Sequence, residues 1–174
     1  AWGVQPETRE RLDVYHRWMP NVHVDYHEMD VGSPYYFAPG AEPYHENLTE
    51  WQRTFQFTIG RHTASTFDRN GWLYFTQEVY DLFYPGYGDT WPLFNGAIGM
   101  TYEQGGGPNA GRAVETAGGD TLTLADRIAH HHASALSTIE VVAEHHEPLV
   151  REFAAYHRSA KNDPPGTYRT YVVH

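Results

Sequence analysis

Leu12, Tyr15 and Met19 recur at helical spacing behind Pro6-Glu7-Thr8, which predicts a first helix that Pro20 stops. Pro6 suits the first helical turn, and acidic Glu7 suits the positive end of the helix dipole. From Val22 the period becomes two: Val22-His23-Val24-Asp25-Tyr26-His27 alternates as a β-strand does. Gly32, Pro34, Pro39 and Gly40 mark residues 30–40 as a loop that starts directly after His27. Asn47 with Glu50 reads as a capping box, opening a helix through Trp51, Phe55 and Ile59 towards Phe67 and broken at Asn70-Gly71. Trp72-Leu73-Tyr74-Phe75 is an apolar run, residues 76–83 read as a short helix, and Pro85-Gly86-Tyr87-Gly88-Asp89 is a turn-rich loop. Residues 97–102 read as a short buried strand ending at Glu103, with Gly105-Gly106-Gly107-Pro108 following at once.

A flexible stretch leads to Asp120. Thr123 then caps a long amphipathic helix, with Asp126 at the reciprocal position and Leu124, Ile128, Ala135, Ile139 and Val142 as its core stripe. Pro148 ends or kinks this helix, and a second helical piece runs to about Lys161. Asp163-Pro164-Pro165-Gly166 is a boundary signal, and Tyr168 to Val173 opens another element. The pattern thus divides the chain into one domain over 1–162 and a linker with the start of a further element over 163–174. Alternation of helix and strand predicts an α/β layer structure, and there is no internal repeat.

The net charge of −10 provides no electrostatic footprint for nucleic acid or an anionic membrane surface. No apolar run approaches the ~18 residues that cross a bilayer, so no membrane span is expected. The absence of cysteine removes disulfides, thiolate metal sites and cysteine nucleophiles together. Ala1-Trp2-Gly3 carries no signal-peptide pattern, and both ends read as cut. The 12 histidines and the 5 Trp, 13 Tyr and 8 Phe leave two readings open: a metal site, or a groove lined by aromatic rings.

His27 ends one strand and meets a Gly/Pro loop; Glu103 ends another and meets a glycine run. Ligand sites of α/β sheets collect at such carboxyl ends. A metal-binding imidazole beside a carboxylate base suits metal-assisted hydrolysis, in which a metal lowers the pKa of bound water and the carboxylate takes its proton. Asp25 alternates with His27 and lies on the same side, whereas Glu28 points away. His130-His131-His132 and His145-His146 lie on the long helix, where His131 and His145 can share a face; solvated or core-edge roles suit them better than a metal site. Asn47-Leu48-Thr49 satisfies a glycosylation sequon, a short pattern that arises readily by accident. Two rival classes remain: a non-catalytic aromatic-rich module binding peptide or carbohydrate, and a glycosidase using Asp25 with Glu103.

Three separated motifs sharpen the choice: Asp25-Tyr26-His27-Glu28-Met29, Tyr84-Pro85-Gly86-Tyr87-Gly88, and Tyr102-Glu103-Gln104. In this order the chain resembles the second half of the catalytic domain of zinc carboxypeptidases of the carboxypeptidase A type, most of all the large bacterial members. The resemblance covers about Trp2 to Gln104 and the helix beyond. It implies a three-layer, phosphorylase/hydrolase-like fold, a mixed sheet sandwiched by helices, truncated here on its N-terminal side. It implies Zn²⁺ as cofactor with His27 as one ligand, and Glu103 as the catalytic base and later proton donor. Tyr84 matches the tyrosine of the substrate-closing loop, with Tyr87 the second choice. The implied substrate is a peptide, or an amino-acid conjugate, with a free C-terminal carboxylate, and the implied location is extracytoplasmic.

The chain also departs from that pattern. No histidine has Glu three residues on, so the family's His-x-x-Glu ligand pair is missing, and no Asn-Arg pair is present to grip a substrate carboxylate. A zinc site takes roughly three or four protein ligands. Little peptidase activity, weak metal affinity, unpaired strand edges and self-association through exposed sheet surface are therefore expected of this chain alone.

Overall fold

The computed structural model describes residues 3–162 together with 170, 172 and 173. Its elements are α1 (Pro6–Trp18), β1 (Val22–Met29), β2 (Tyr35–Tyr36), β3 (Ala41–Tyr44), α2 (Glu50–Asn70), β4 (Tyr74–Phe75), β5 (Asp81–Leu82), α3 (Thr90–Leu93), β6 (Ile98–Gly105), β7 (Ala113–Glu115), β8 (Thr121–Thr123), α4 (Leu124–Glu144) and α5 (His146–Asn162). The α/β class expected from alternation is observed. The boundary at 163–166 lies outside the described residues, as do three of the six residues of the element expected over 168–173.

A four-stranded mixed sheet, in the order β1-β6-β2-β4, carries the architecture. β1 runs parallel to β6 with Val22 opposite Ile98 and His27 opposite Glu103, while β2 is antiparallel to β6 and sets Tyr36 opposite Glu103. Side chains alternate across a strand, so Ile98, Met100 and Tyr102 share one face and Gly99, Thr101 and Glu103 the other. The first face builds the main core with Phe55, Ile59 and Phe67 of α2, Val141 of α4 and Leu149 of α5. On the second face the chain of Asp89 closes directly onto Gly99, where any side chain would strike the Asp89 carbonyl.

Several local expectations are corrected. β1 continues two residues past His27, and the presumed loop over 30–40 contains β2. The capping box of α2 is Thr49 with Gln52, two residues beyond the Asn47–Glu50 reading. No helix forms over 76–83: Gln77 and Val79 have positive φ, and the segment bonds sideways instead, Gln77 N–H to the Pro39 carbonyl and the Ala41 N–H to the Tyr80 carbonyl. A helix cannot pass through left-handed residues, so the stretch becomes β5, paired with β3. The stretch read as flexible before Asp120 holds β7, which pairs with β8 just beyond it.

The largest correction concerns α4. Its Thr123–Asp126 capping box is as expected, and a separate helix follows at His146. Its apolar stripe, however, looks outward: Leu124 is 42 %, Ile128 60 % and Ile139 62 % exposed. Ala135 is half-buried, and of the five only Val142 packs on the core. The inward face is small and hydroxylated. Ser134 bonds the Tyr35 hydroxyl at 2.7 Å, Thr138 the Tyr102 hydroxyl at 2.7 Å, and Ser137 meets Thr63 at 3.1 Å and His62 at 2.8 Å. Buried tyrosine hydroxyls need partners, and an apolar helix face supplies none. The outward stripe adjoins β1, the edge strand, where Tyr26 is 40 % exposed.

Candidate active-site cavity

Because β1 and β6 are parallel and pair His27 with Glu103, both side chains leave the sheet on the same face at its carboxyl-end rim. Asp25 and Thr101, one step earlier on that face, form the next pair of the register. These four residues line one cavity of about 590 Å³ together with Arg11 of α1 and Val79, Tyr80, Asp81, Tyr87, Gly88 and Asp89 of the covering loop. His27 and Glu103, expected to face one cleft, both line this cavity.

Asp25 Oδ2 accepts from His27 Nε2 at 3.1 Å, which orients the ring and leaves Nδ1 for another ligand. That bond raises the His27 imidazole above its ordinary value; partial burial opposes it, and Glu103 and Asp89 add to the rise. Glu103 exposes 8 % of its surface, and its Oε2 is buried with no hydrogen-bond partner among the described residues. Burial pushes its carboxyl above the ordinary range, with His27 opposing and Asp25 and Asp89 reinforcing. A carboxyl set in this way is poised to hold or release a proton nearer neutrality.

The structure also brings in residues that sequence reasoning missed. Asp89 is 8 % exposed, accepts the Thr90 hydroxyl at 3.1 Å on Oδ1, and has its carboxyl raised chiefly by burial. Its place just ahead of Thr90-Trp91-Pro92 reads equally well as a solvated helix cap; only the close approach to Gly99 buries it. Tyr80 forms a wall, its ring 4.5 Å from that of Tyr36. Gly88 lies hard against the Asp25 carboxylate, where a side chain would collide with Oδ2.

Of the two loop tyrosines, Tyr87 lines the cavity; Tyr84 is not among its lining residues and sets its ring 5.2 Å from that of Tyr87 at the exposed rim. Glu28, on the opposite face, pairs with buried Arg127 at 2.6 Å. The helical histidines serve the packing: His130 bonds Gln104 at 2.7 Å, His131 the Tyr35 hydroxyl at 2.8 Å, and His145 the Val141 carbonyl at 3.0 Å.

Among the described residues, no three His, Asp or Glu side chains are set to hold a metal ion. Of these, His27 alone has the arrangement common to metal-ligating histidines, an imidazole backed by a carboxylate through one nitrogen. No family model, curated protein or solved structure matches this chain.

Proposed function

We propose that the chain is the C-terminal half of the catalytic domain of a zinc carboxypeptidase-type hydrolase, which removes the terminal residue of a peptide or related amino-acid conjugate bearing a free carboxylate. The observation that carries this reading is the His27–Glu103 pair, adjacent in register and facing one cavity at the carboxyl ends of parallel strands. The open edge at β1 and the outward apolar stripe of α4 support it, as surfaces that the remainder of such a domain covers. The aromatic-rich module has less support: Tyr35, Tyr36, Phe37, Phe67 and Tyr102 are buried core, not groove.

In this proposal His27 contributes one ligand through Nδ1, with Asp25 fixing the ring at Nε2. Zinc bound there supplies an acidified water and polarises the scissile carbonyl. Glu103 takes a proton on its unpartnered Oε2 and later returns it to the leaving amine. The loop bearing Tyr84 and Tyr87, of which Tyr87 lines the cavity, excludes water as substrate binds.

The reading is tested on the full-length protein by elemental analysis and by hydrolysis of a peptide pair with free and blocked C-termini. One zinc per chain and cleavage of the free form alone are expected; absent zinc, or equal cleavage of both, overturns it. The 174-residue chain by itself is expected to show little turnover.

Gly88→Ala offers a sharper test of the Asp25–His27 pair. The added methyl displaces the end of a side chain, so the fold survives while Asp25 moves off His27. Loss of such a backing carboxylate costs about 10–100-fold in metal affinity, which competition with a chromophoric chelator measures in the full-length protein.

Self-association follows from the same half-sheet proposal. Ile128→Lys with Ile139→Lys removes two exposed apolar side chains from α4. Sedimentation is expected to show the parent chain associating and the double variant monomeric, with thermal stability altered by no more than about 0.5 kcal/mol per site.

A further inference from the structure

We propose that Arg127 is a positioning residue for the site: from the far face of the sheet it ties together the two strand ends that carry His27 and Glu103, and so fixes their separation. The inference rests on the reading of those two residues as zinc ligand and base. It adds a residue of α4 that does not line the cavity.

β1 is the outermost strand of its sheet, so among the described residues β6 alone pairs with it. The pairing runs to the end of both strands, with His27 opposite Glu103, Glu28 opposite Gln104 and Met29 opposite Gly105. The Gly106 N–H then closes the ladder on the Met29 carbonyl at 3.1 Å. Strand ends open readily unless something beyond the ladder holds them. Arg127 holds these. Glu28 and His27 are neighbours on β1 and leave it on opposite faces. On the face away from the cavity, Arg127 Nη1 donates to Glu28 Oε1 at 2.6 Å. Nη2 donates to the Gly111 carbonyl, on the chain that continues from β6. The Gly106 backbone lies so close to the arginine stem that a Cβ there would stand 2.9 Å from Arg127 Cδ. One side chain thus grips β1, the end of β6 and the segment beyond it.

Stability alone does not account for this arginine. Its side chain is 6 % exposed, and its Nε is buried with no partner among the described residues. A guanidinium desolvated in this way recovers little net energy from one carboxylate, and apolar side chains of similar size often hold a fold as well or better. What they lack is direction. The planar guanidinium sets its acceptors at fixed angles to one another, which a packed aliphatic chain does not. Such precision matters where a base and a metal ligand must keep their separation, because a displacement of about 1 Å costs about 10²-fold in rate.

The test is the double variant Arg127→Met with Glu28→Leu in the full-length protein, which removes the tie and strands neither charge. Its thermal midpoint is expected at or above that of the parent. Zinc affinity, from competition with a chelator, is expected about tenfold weaker, and kcat at saturating zinc about 10–100-fold lower. A merely structural pair gives the opposite result: in a variant as stable as the parent, kcat and zinc affinity stay at the parent's values, and this overturns the proposal. Arg127→Lys decides the matter should the double variant not fold. Lysine keeps a charge for Glu28 but has no fork to reach Gly111 as well, so kcat is expected to fall about tenfold. A kcat equal to the parent's overturns the proposal here too. Hydrogen exchange needs neither zinc nor turnover and so stands apart from the hydrolase reading. The Gly106 amide is expected to exchange about tenfold or more faster in each folded variant than in the parent. Unchanged exchange at Gly106 overturns the tie itself. Faster exchange in a full-length protein that binds no zinc upholds the tie and ends the hydrolase reading.

Discussion

Glu103→Gln in the full-length, zinc-loaded protein is expected to lower kcat by about 10²–10⁴-fold while zinc stays bound at its usual stoichiometry. The amide keeps the volume and one acceptor but takes no proton at neutral pH, so the change removes the proposed chemistry and little else. Burial raises the Glu103 carboxyl above its ordinary range, and Asp25 and Asp89 add to the rise against His27. The acid limb of kcat/KM is therefore expected to fall at a higher pH than an exposed glutamate produces, and to vanish in the residual activity of the variant.

Stability moves in the opposite sense. A carboxyl whose folded pKa lies above its unfolded value binds more protons folded than unfolded between the two values. Its contribution to stability is complete below the unfolded value and is lost as pH rises through the folded one. Near neutrality the ionised, buried Glu103 is a burden on the fold, and the glutamine variant is expected to be no less stable than the parent. Lost turnover together with retained stability and zinc separates a catalytic group from a structural one. Unchanged turnover in the variant ends the assignment.

How much of this was legible beforehand depended on distance along the chain. The Thr123–Asp126 box lies within one helical turn and was read correctly. At α2 two overlapping signatures compete, Asn47–Glu50 and Thr49–Gln52, and the second wins because Gln52 also finds partners across the fold. The strands β2, β4 and β5 are two residues each and exist only through pairing with distant segments, so no local period announces them. The α4 stripe misled for a related reason. Apolar periodicity assumes an apolar partner, whereas the sheet offers α4 the hydroxyls of Tyr35 and Tyr102. In the site, His27, Asp25 and Glu103 were legible because a strand end is a local feature. Asp89 was not, since its burial is decided by the approach of its backbone to Gly99 on β6.

Gln52→Met is expected to be the most destabilising single change near the site, at about 3–6 kcal/mol of the roughly 5–15 that a domain possesses. The side chain is 1 % exposed, and its Nε2 donates to the Leu93 carbonyl at 2.7 Å and the Ala97 carbonyl at 2.9 Å. Its Oε1 accepts the Thr49 N–H at 3.0 Å, closing the helix cap. Methionine matches the volume and opens no large void, so the cost is polar: two buried carbonyls lose a donor, at about 1–3 kcal/mol each, and half of a capping box goes with them. Gln56→Met serves as the comparison. Gln56 makes two bonds, to the Gly99 carbonyl and from the Gly40 N–H, both at 3.2 Å, and lies outside the cap, so a loss about half as large is expected. Urea unfolding gives both values. The ranking matters for function because the 93–97 turn delivers the chain from Asp89 into β6 and hence to Glu103, so the same variant should lose hydrogen-exchange protection along β6 before the rest of the sheet. A loss below about 1 kcal/mol for Gln52→Met means that pairing with β1 and β2 alone holds β6 in place.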